Sequence, residues 1–207
     1  MTSPSYRVPA GYGEVEFMEK RSRFIGRVWR VENEEEAKAR VSAMQKQHVD
    51  ATHNVYAYSI SPNLMRYSDD GEPQGTAGMP TLNVLEQEEL FEVCCVVTRY
   101  YGGILLGAGG LVRAYAKTTK LALDAAGVVT MRLWDQLHLI CPYALYDQIK
   151  VLINNSLGIV ESTDFAAEVT LEFSLPATET DNFKHALQTL SAGSLSPKTL
   201  DTVFMGK

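Results

Sequence analysis

Two segments of the 207-residue chain concentrate side chains able to do chemistry. The first, residues 67–78, sets Asp69, Asp70 and Glu72 among Gly71, Gly75, Thr76 and Gly78. Carboxyl groups so close together could hold a hard cation such as Mg²⁺, or divide a proton between a general acid and a general base. The spacing of a Ca²⁺ loop is missing, and an Asp-Asp-Gly-Glu turn is also an ordinary solvated loop. The second segment runs from Arg99 and Tyr100 through Gly102, Gly103, Gly107, Gly109 and Gly110 to Arg113 and Tyr115, with Lys117 one turn further on. A glycine-rich turn that opens a helix presents free N–H groups and a positive dipole end, which suit phosphate, and arginines add charge-assisted bonds. No Gly-Lys-Ser/Thr closes the loop, and Val112 stands where a dinucleotide fingerprint needs its third glycine. The structural alternative is that the glycines let the loop turn and the helix pack closely.

His48 and His53 bracket a turn and could meet the acidic loop, although no Ser or Cys nucleophile is placed beside either. Tyr100, Tyr101 and Tyr115 read as exposed aromatics next to basic residues, a platform on which single-stranded RNA stacks. Cys94 and Cys95 are adjacent on a buried strand and point to opposite faces, while Cys141 stands alone; all three read as small apolar core residues in a reducing compartment. Zinc-ligand spacing is lacking. No catalytic set, metal site or cofactor is expected.

The elements that must position these residues are legible in outline. Residues 14–31 pattern as two strands or one bent one. Asn33 offers an N-cap and Glu34, Glu35 and Glu36 suit the first turn of a helix that runs to about residue 47. Residues 54–60 alternate Val55, Ala57 and Ser59 against Tyr56, Tyr58 and Ile60, which suits a strand with both faces partly covered. Residues 66–79 read as a loop, 76–87 as a short helix with Pro80 early in it, and 93–101 as a strand buried on both sides. In the long helix that follows, Leu111, Val112, Tyr115, Thr119, Ala122, Leu123 and Ala126 share a core arc of about 120°, with Arg113, Lys117 and Lys120 opposite. After Gly127 the pattern restarts as strand 131–141, helix 143–156, strands 159–163 and 168–175, helix 180–190 and strand 199–204. That βαββαβ order is the split βαβ of a ferredoxin-like domain. The expected fold is α+β, with domains at 1–130 and 131–207.

Charge narrows the partners. With 19 Lys+Arg and 25 Asp+Glu the net charge is −6. Residues 1–130 carry 14 and 16 of these and residues 131–207 carry 5 and 9, or −2 and −4. This balance argues against indiscriminate polyanion binding and against DNA, but leaves a local basic face for a structured target. Residues 1–13 lack an apolar signal core and no apolar run approaches a membrane span, so a cytoplasmic protein without a membrane partner is expected.

Residues 67–78 with Pro80, and residues 97–115, resemble the signature blocks of the IMPACT/YigZ family (uncharacterised protein family 0029). Lys20-Arg21-Ser22-Arg23-Phe24-Ile25 and Asp50-Ala51-Thr52-His53 resemble its early blocks, and the likeness covers the whole chain. Val49 and Asn54 depart from the residues usual there, a Pro and a nearby Cys. The resemblance implies a first domain with the ribosomal protein S5 domain 2-like fold and a second like elongation factor G domain V. Eukaryotic relatives regulate translation initiation through a regulator of an initiation-factor kinase, so the partners implied are RNA, the ribosome or a translation-regulatory protein. A non-enzymatic factor is expected, its contacts drawn from Asp69, Asp70, Glu72, Thr76 and the Arg99-to-Lys117 set. The first fold is also shared with small-molecule kinases, which makes a nucleotide-binding protein or small-molecule enzyme the rival. A protein-interaction module that ignores RNA is the third expectation.

Overall fold

The computed structural model describes residues 5–206 and divides into a unit spanning 6–130 and a second beginning at Met131. The first unit is built on an antiparallel sheet of order β2-β3-β6-β4-β5, formed by β2 (Gly13–Glu19), β3 (Ser22–Arg30), β4 (His53–Ser61), β5 (Leu64–Ser68) and β6 (Val93–Tyr100). The central strand β6 is buried from Val93 to Arg99, as its unbroken apolar run requires. Val93, Cys95 and Val97 face one core together with Phe24, Val28, Val55 and Ala57. Cys94 and Val96 face the other with Trp29, Tyr58, Ala37 and Val41. Helices α2 (Gly78–Gln87) and α3 (Ala108–Ala126) cover the first face, and α1 (Glu34–Gln47) covers the second. Each fully buried valine of β6 contributes about 1.5–3 kcal/mol relative to an exposed one.

Local signals explain most boundaries. The Asn33 side chain accepts from the Glu36 N–H at 2.9 Å, and the Glu36 carboxylate accepts in turn from the Glu32 N–H at 3.0 Å, fixing the start of α1. Residues 14–31 resolve into two strands because Lys20 and Arg21 both take positive φ, 44° and 64°, the geometry of a two-residue hairpin turn.

Three expectations need correction. Strand β5 occupies the beginning of what reads as loop; it is a polar edge strand paired only with β4, so alternation is weak in it. Strand β1 (Ser5–Pro9) forms near the start of the first unit, where Arg7 bridges Leu90; its five residues carry little apolar pattern. In α3 the buried set is shifted by part of a turn, so that Ala114 and Thr118 are buried while Val112 stays 37 % exposed.

The second unit comprises β7 (Val128–Cys141), α4 (Tyr143–Asn155), β8 (Ile159–Phe165), β9 (Val169–Pro176), α5 (Thr180–Leu190) and β10 (Lys198–Gly206). Its antiparallel strand order β10-β7-β9-β8 is the ferredoxin-like one. Ile149 and Ile153 of α4 and Phe183 and Leu187 of α5 pack against Leu137, Leu171 and Phe173, so both helices lie on one face of the sheet.

Candidate functional site

The acidic loop is organised by its own carboxylates. Asp69 Oδ1 accepts from the Ala77 and Gly78 N–H groups at 3.1 and 2.8 Å, and Oδ2 from the Gly75 N–H at 2.8 Å. The residue at the N-cap position of α2, Ala77, offers no side chain for this purpose, so a carboxylate eight positions upstream caps the helix instead. Asp70, at φ 45°, accepts from the Asn54 N–H at 2.6 Å and so ties the loop to β4. The Thr76 hydroxyl donates to the Pro73 carbonyl at 2.6 Å. Glu72 turns inward, its side chain only 3 % exposed. Among the described residues no cluster of three His, Cys, Asp or Glu side chains converges as a metal ligand set. Backbone N–H groups hold Asp69 and Asp70, and Glu72 faces a cation of the protein itself.

That cation is Arg99. Its Nη1 donates to Glu72 Oε1 at 2.5 Å and its Nη2 to the Ser22 hydroxyl at 3.3 Å, while the buried Nε has no hydrogen-bond partner among the described residues. The guanidinium lies 5.4 Å from the Phe24 ring and 5.5 Å from that of Tyr101. With 4 % of its surface exposed, Arg99 is an internal counter-ion and not the surface anion ligand its position before the glycine loop suggests. Tyr115 is also corrected: it is fully buried, packs edge-on against Phe24 at 5.3 Å and donates to Glu72 Oε1 at 2.8 Å. Burial first, then the Glu72 charge, push its hydroxyl far above the usual tyrosine range, so it stays a neutral donor. Tyr100 is half-buried, with Arg23 over its ring at 5.5 Å and its hydroxyl between His48 Nδ1 at 2.8 Å and Asp50 Oδ1 at 3.3 Å. Desolvation lowers the pKa of His48 and favours its neutral form. His53 does meet the acidic loop: its Nδ1 lies 2.7 Å from the Asp70 carbonyl and its Nε2 3.7 Å from Glu72 Oε2.

The glycine turn has mixed reasons. A Cβ on Gly102 would lie 2.0 Å from the Arg21 carbonyl oxygen, so this glycine lets the turn close on the β2–β3 hairpin. Gly103 and Gly107 take positive φ, 83° and 74°, and Gly107 ends the turn as the N-cap of α3. Gly110 is crowded by Leu106 at 3.0 Å. Gly109 differs: it needs no special φ and a Cβ there would meet only Arg113 Nη1, at 3.6 Å.

Two concavities flank Leu106. One, of about 260 Å³, lies between the β2–β3 hairpin and the first half of α3 and brings Lys20, Arg113 and Lys117 together beside Gly110, with Glu19 as its acid. Lys117 Nζ sits 4.3 Å from the Phe17 ring centre. Lys120, counted on the same basic face, is instead held by Glu88 at 2.6 Å and Asp124 at 3.0 Å. The other, of about 370 Å³, is lined by His53, Glu72, Arg99, Tyr101, Leu105 and Gly107 among others. Lys20 and His53 line these concavities although residue types alone undervalue them. The signal for Lys20 was available in the hairpin, where two non-glycine residues turn the chain, whereas the role of His53 depends on a contact with a distant loop.

Residues 20–123 match the Impact N-terminal domain, and residues 139–194 match a domain of unknown function (DUF1949). The chain is 37 % identical over 205 residues to the IMPACT family member YvyE of Bacillus subtilis (strain 168), covering 98 % of this chain and 94 % of that one. It is 36 % identical over 195 residues to the IMPACT family member YigZ of Escherichia coli (strain K12), covering 92 % and 96 %. Over 106 residues it is 37 % identical to Protein IMPACT of Mus musculus, covering 48 % of this chain and 32 % of that protein. A crystal structure described as that of a hypothetical protein is similar with a TM-score of 0.60 at 35 % identity, covering 97 % of this chain and 99 % of the other.

Proposed function

The chain belongs to the IMPACT family, and from that premise we propose that it is a translation-associated binding factor of the cytoplasm whose first unit grips the phosphates of structured RNA in the Lys20–Arg113–Lys117 groove. The observation that carries this reading is the convergence of three cations from two separate elements on one groove beside the first half of α3. A second feature supports it: Lys20 and Arg21 sit in the left-handed region, which costs non-glycine residues about 1–2 kcal/mol each, and so hold two cations at the tip of a hairpin. Phosphate contacts of this kind position a protein on RNA and carry no sequence information. No chemical step is assigned to the protein. The nucleotide-enzyme alternative loses support because the acidic loop uses its carboxylates for backbone and Arg99 contacts.

Co-sedimentation with ribosomes over a series of salt concentrations tests the proposal. Three phosphate contacts give a slope of log K against log salt of about −2 to −3, and removing two flattens it by about 1.4–1.8. Arg113→Ala with Lys117→Ala is therefore expected to weaken binding and flatten the slope. A wild-type chain that stays in the supernatant at low salt sinks the proposal, as does a double variant with an unchanged slope.

A further inference from the structure

The turn between β6 and α3, residues 101–107, carries neither helix nor strand, yet it is fastened at both ends. The Tyr101 N–H donates to Thr52 Oγ1 at 2.9 Å and the Gly102 N–H to Ser22 Oγ at 3.3 Å. Leu106 is buried in the first core, and the Leu111 N–H donates to the Gly107 carbonyl at 2.9 Å. Gly103 and Gly107 take positive φ, although a Cβ at either would meet no atom within 4 Å. These two glycines therefore serve the path of the backbone, and that path buries Leu106 while leaving its two predecessors in water. Leu105 is 81 % exposed, Ile104 40 % and Tyr101 44 %. Three large apolar side chains exposed within five consecutive residues are more than the scattered leucine that any surface carries.

The border of this turn is cationic. Leu106 lines the groove of Lys20, Arg113 and Lys117, so the exposed pair adjoins that groove by a single residue. Gly102 lies against the Arg21 carbonyl, which brings the tip of the β2–β3 hairpin to the base of the turn. An apolar tip bordered by cations fits a surface that is apolar at one point and anionic around it. RNA has that pattern where a base face lies uncovered between phosphates. An apolar pocket on a protein asks for no such border. Continuous A-form duplex does not offer the pattern either, because its base faces are stacked and its major groove is too deep and narrow for side chains. The tip therefore calls for an interrupted stack, where opening a base step costs least.

We propose that Leu105, with Ile104 next to it, is an apolar wedge that inserts against the open base face of a bulged or otherwise interrupted RNA stem, while the adjoining groove holds the flanking phosphates. The inference rests on the RNA reading of that groove and narrows it to RNA whose stacking is broken. Tyr101, with the Arg99 guanidinium 5.5 Å from its ring centre, supplies an aromatic surface at the start of the same turn.

The test uses the full chain and two RNA hairpins with the same number of nucleotides, one with a continuous stem and one with a single-nucleotide bulge. Each carries 2-aminopurine at the same stem position, which flanks the bulge in the second. Fluorescence titrations over a series of salt concentrations give the affinity for both. The wild-type chain is expected to bind the bulged hairpin about tenfold more tightly at every salt concentration, because apolar burial releases no counterions. The 2-aminopurine beside the bulge should brighten as the leucine takes the place of its stacking neighbour. Leu105→Ser should reduce the preference to less than about twofold and remove the brightening, with the melting temperature and the salt slope unchanged. Leu105→Met, which keeps an apolar tip, should retain the preference. Arg113→Ala with Lys117→Ala should do the reverse of Leu105→Ser, flattening the slope and keeping the preference. Wild-type binding of both hairpins within about twofold, with the slope of the groove intact, would overturn the wedge and leave the groove standing. A preference that survives in Leu105→Ser would overturn it too. A wild-type chain that binds neither hairpin at low salt removes the groove reading and the wedge with it.

Discussion

Replacing Glu72 by Leu removes the carboxylate that faces Arg99 and Tyr115 but leaves both of them buried. The Arg99 side chain is 5 % exposed, so its guanidinium becomes an unpaired internal charge. Breaking a buried pair in this way costs about 3–5 kcal/mol. The Tyr115 hydroxyl, fully buried and held at 2.8 Å by Glu72, loses its acceptor for about 1–3 kcal/mol more. The sum, about 4–8 kcal/mol, is comparable with the whole stability of many domains, so Glu72→Leu is expected to leave the first unit unfolded or nearly so. Glu72→Gln keeps an acceptor for both partners but no charge, and should cost about 2 kcal/mol because charge-assisted bonds are roughly twice as strong as neutral ones. The combination Glu72→Leu, Arg99→Met and Tyr115→Phe removes the three coupled polar groups together while retaining the edge-on contact with Phe24, and should recover most of the loss. Urea denaturation followed by far-UV circular dichroism measures all three, with the midpoint and slope read separately for the two-unit chain. If Glu72→Leu costs less than about 1 kcal/mol, or the triple variant is as unstable as the sum of its parts, Glu72 is not the internal counter-ion of Arg99 and the reasoning fails.

Asp69→Ala should cost about 2 kcal/mol and speed amide exchange at Gly75, Ala77 and Gly78, whose N–H groups lose their acceptor; unchanged exchange at those three would show that the carboxylate does not cap α2. The Glu88–Lys120 pair predicts a two-sided pH dependence. Lys120 lowers the pKa of Glu88, so the stabilisation on that side is present above the unfolded-state carboxylate pKa and is lost as pH falls through the depressed folded value. Glu88 raises the pKa of Lys120, so the contribution on that side is present below the unfolded-state amine pKa and is lost as pH rises through the raised folded value. As a surface pair it contributes about 0.2–1 kcal/mol, and Lys120→Met should flatten the difference between neutral pH and both extremes; a wild-type-like pH profile in that variant would count against the pair.

The sequence by itself determined the elements and their faces. An unbroken apolar run marks β6 as a two-faced strand, Asn33 and the following glutamates mark the start of α1, and the βαββαβ order after Gly127 marks the second unit. Periodicity is sufficient there because it reports which side of an element must leave water. It says nothing about which polar group meets which, and that is where the residue-level expectations failed. Arg99 follows a buried strand and precedes glycines, so it reads as an anion ligand; β6 pairs it across the sheet with His53 on one side and Phe24 on the other, and the acidic loop then brings Glu72 over it. Helical periodicity sets Tyr115 on the core arc of α3, against its reading as an exposed aromatic among basic residues, but only the packing of α3 on β3 decides that it meets Phe24. These partners are 27 and 43 residues from Glu72 along the chain, so only the closed sheet and the helix packed on it decide that they meet. The turn that opens α3 is anticipated by its glycines, whereas the approach of His53 to Glu72 exists only because the tertiary fold brings the 67–78 loop back onto β4.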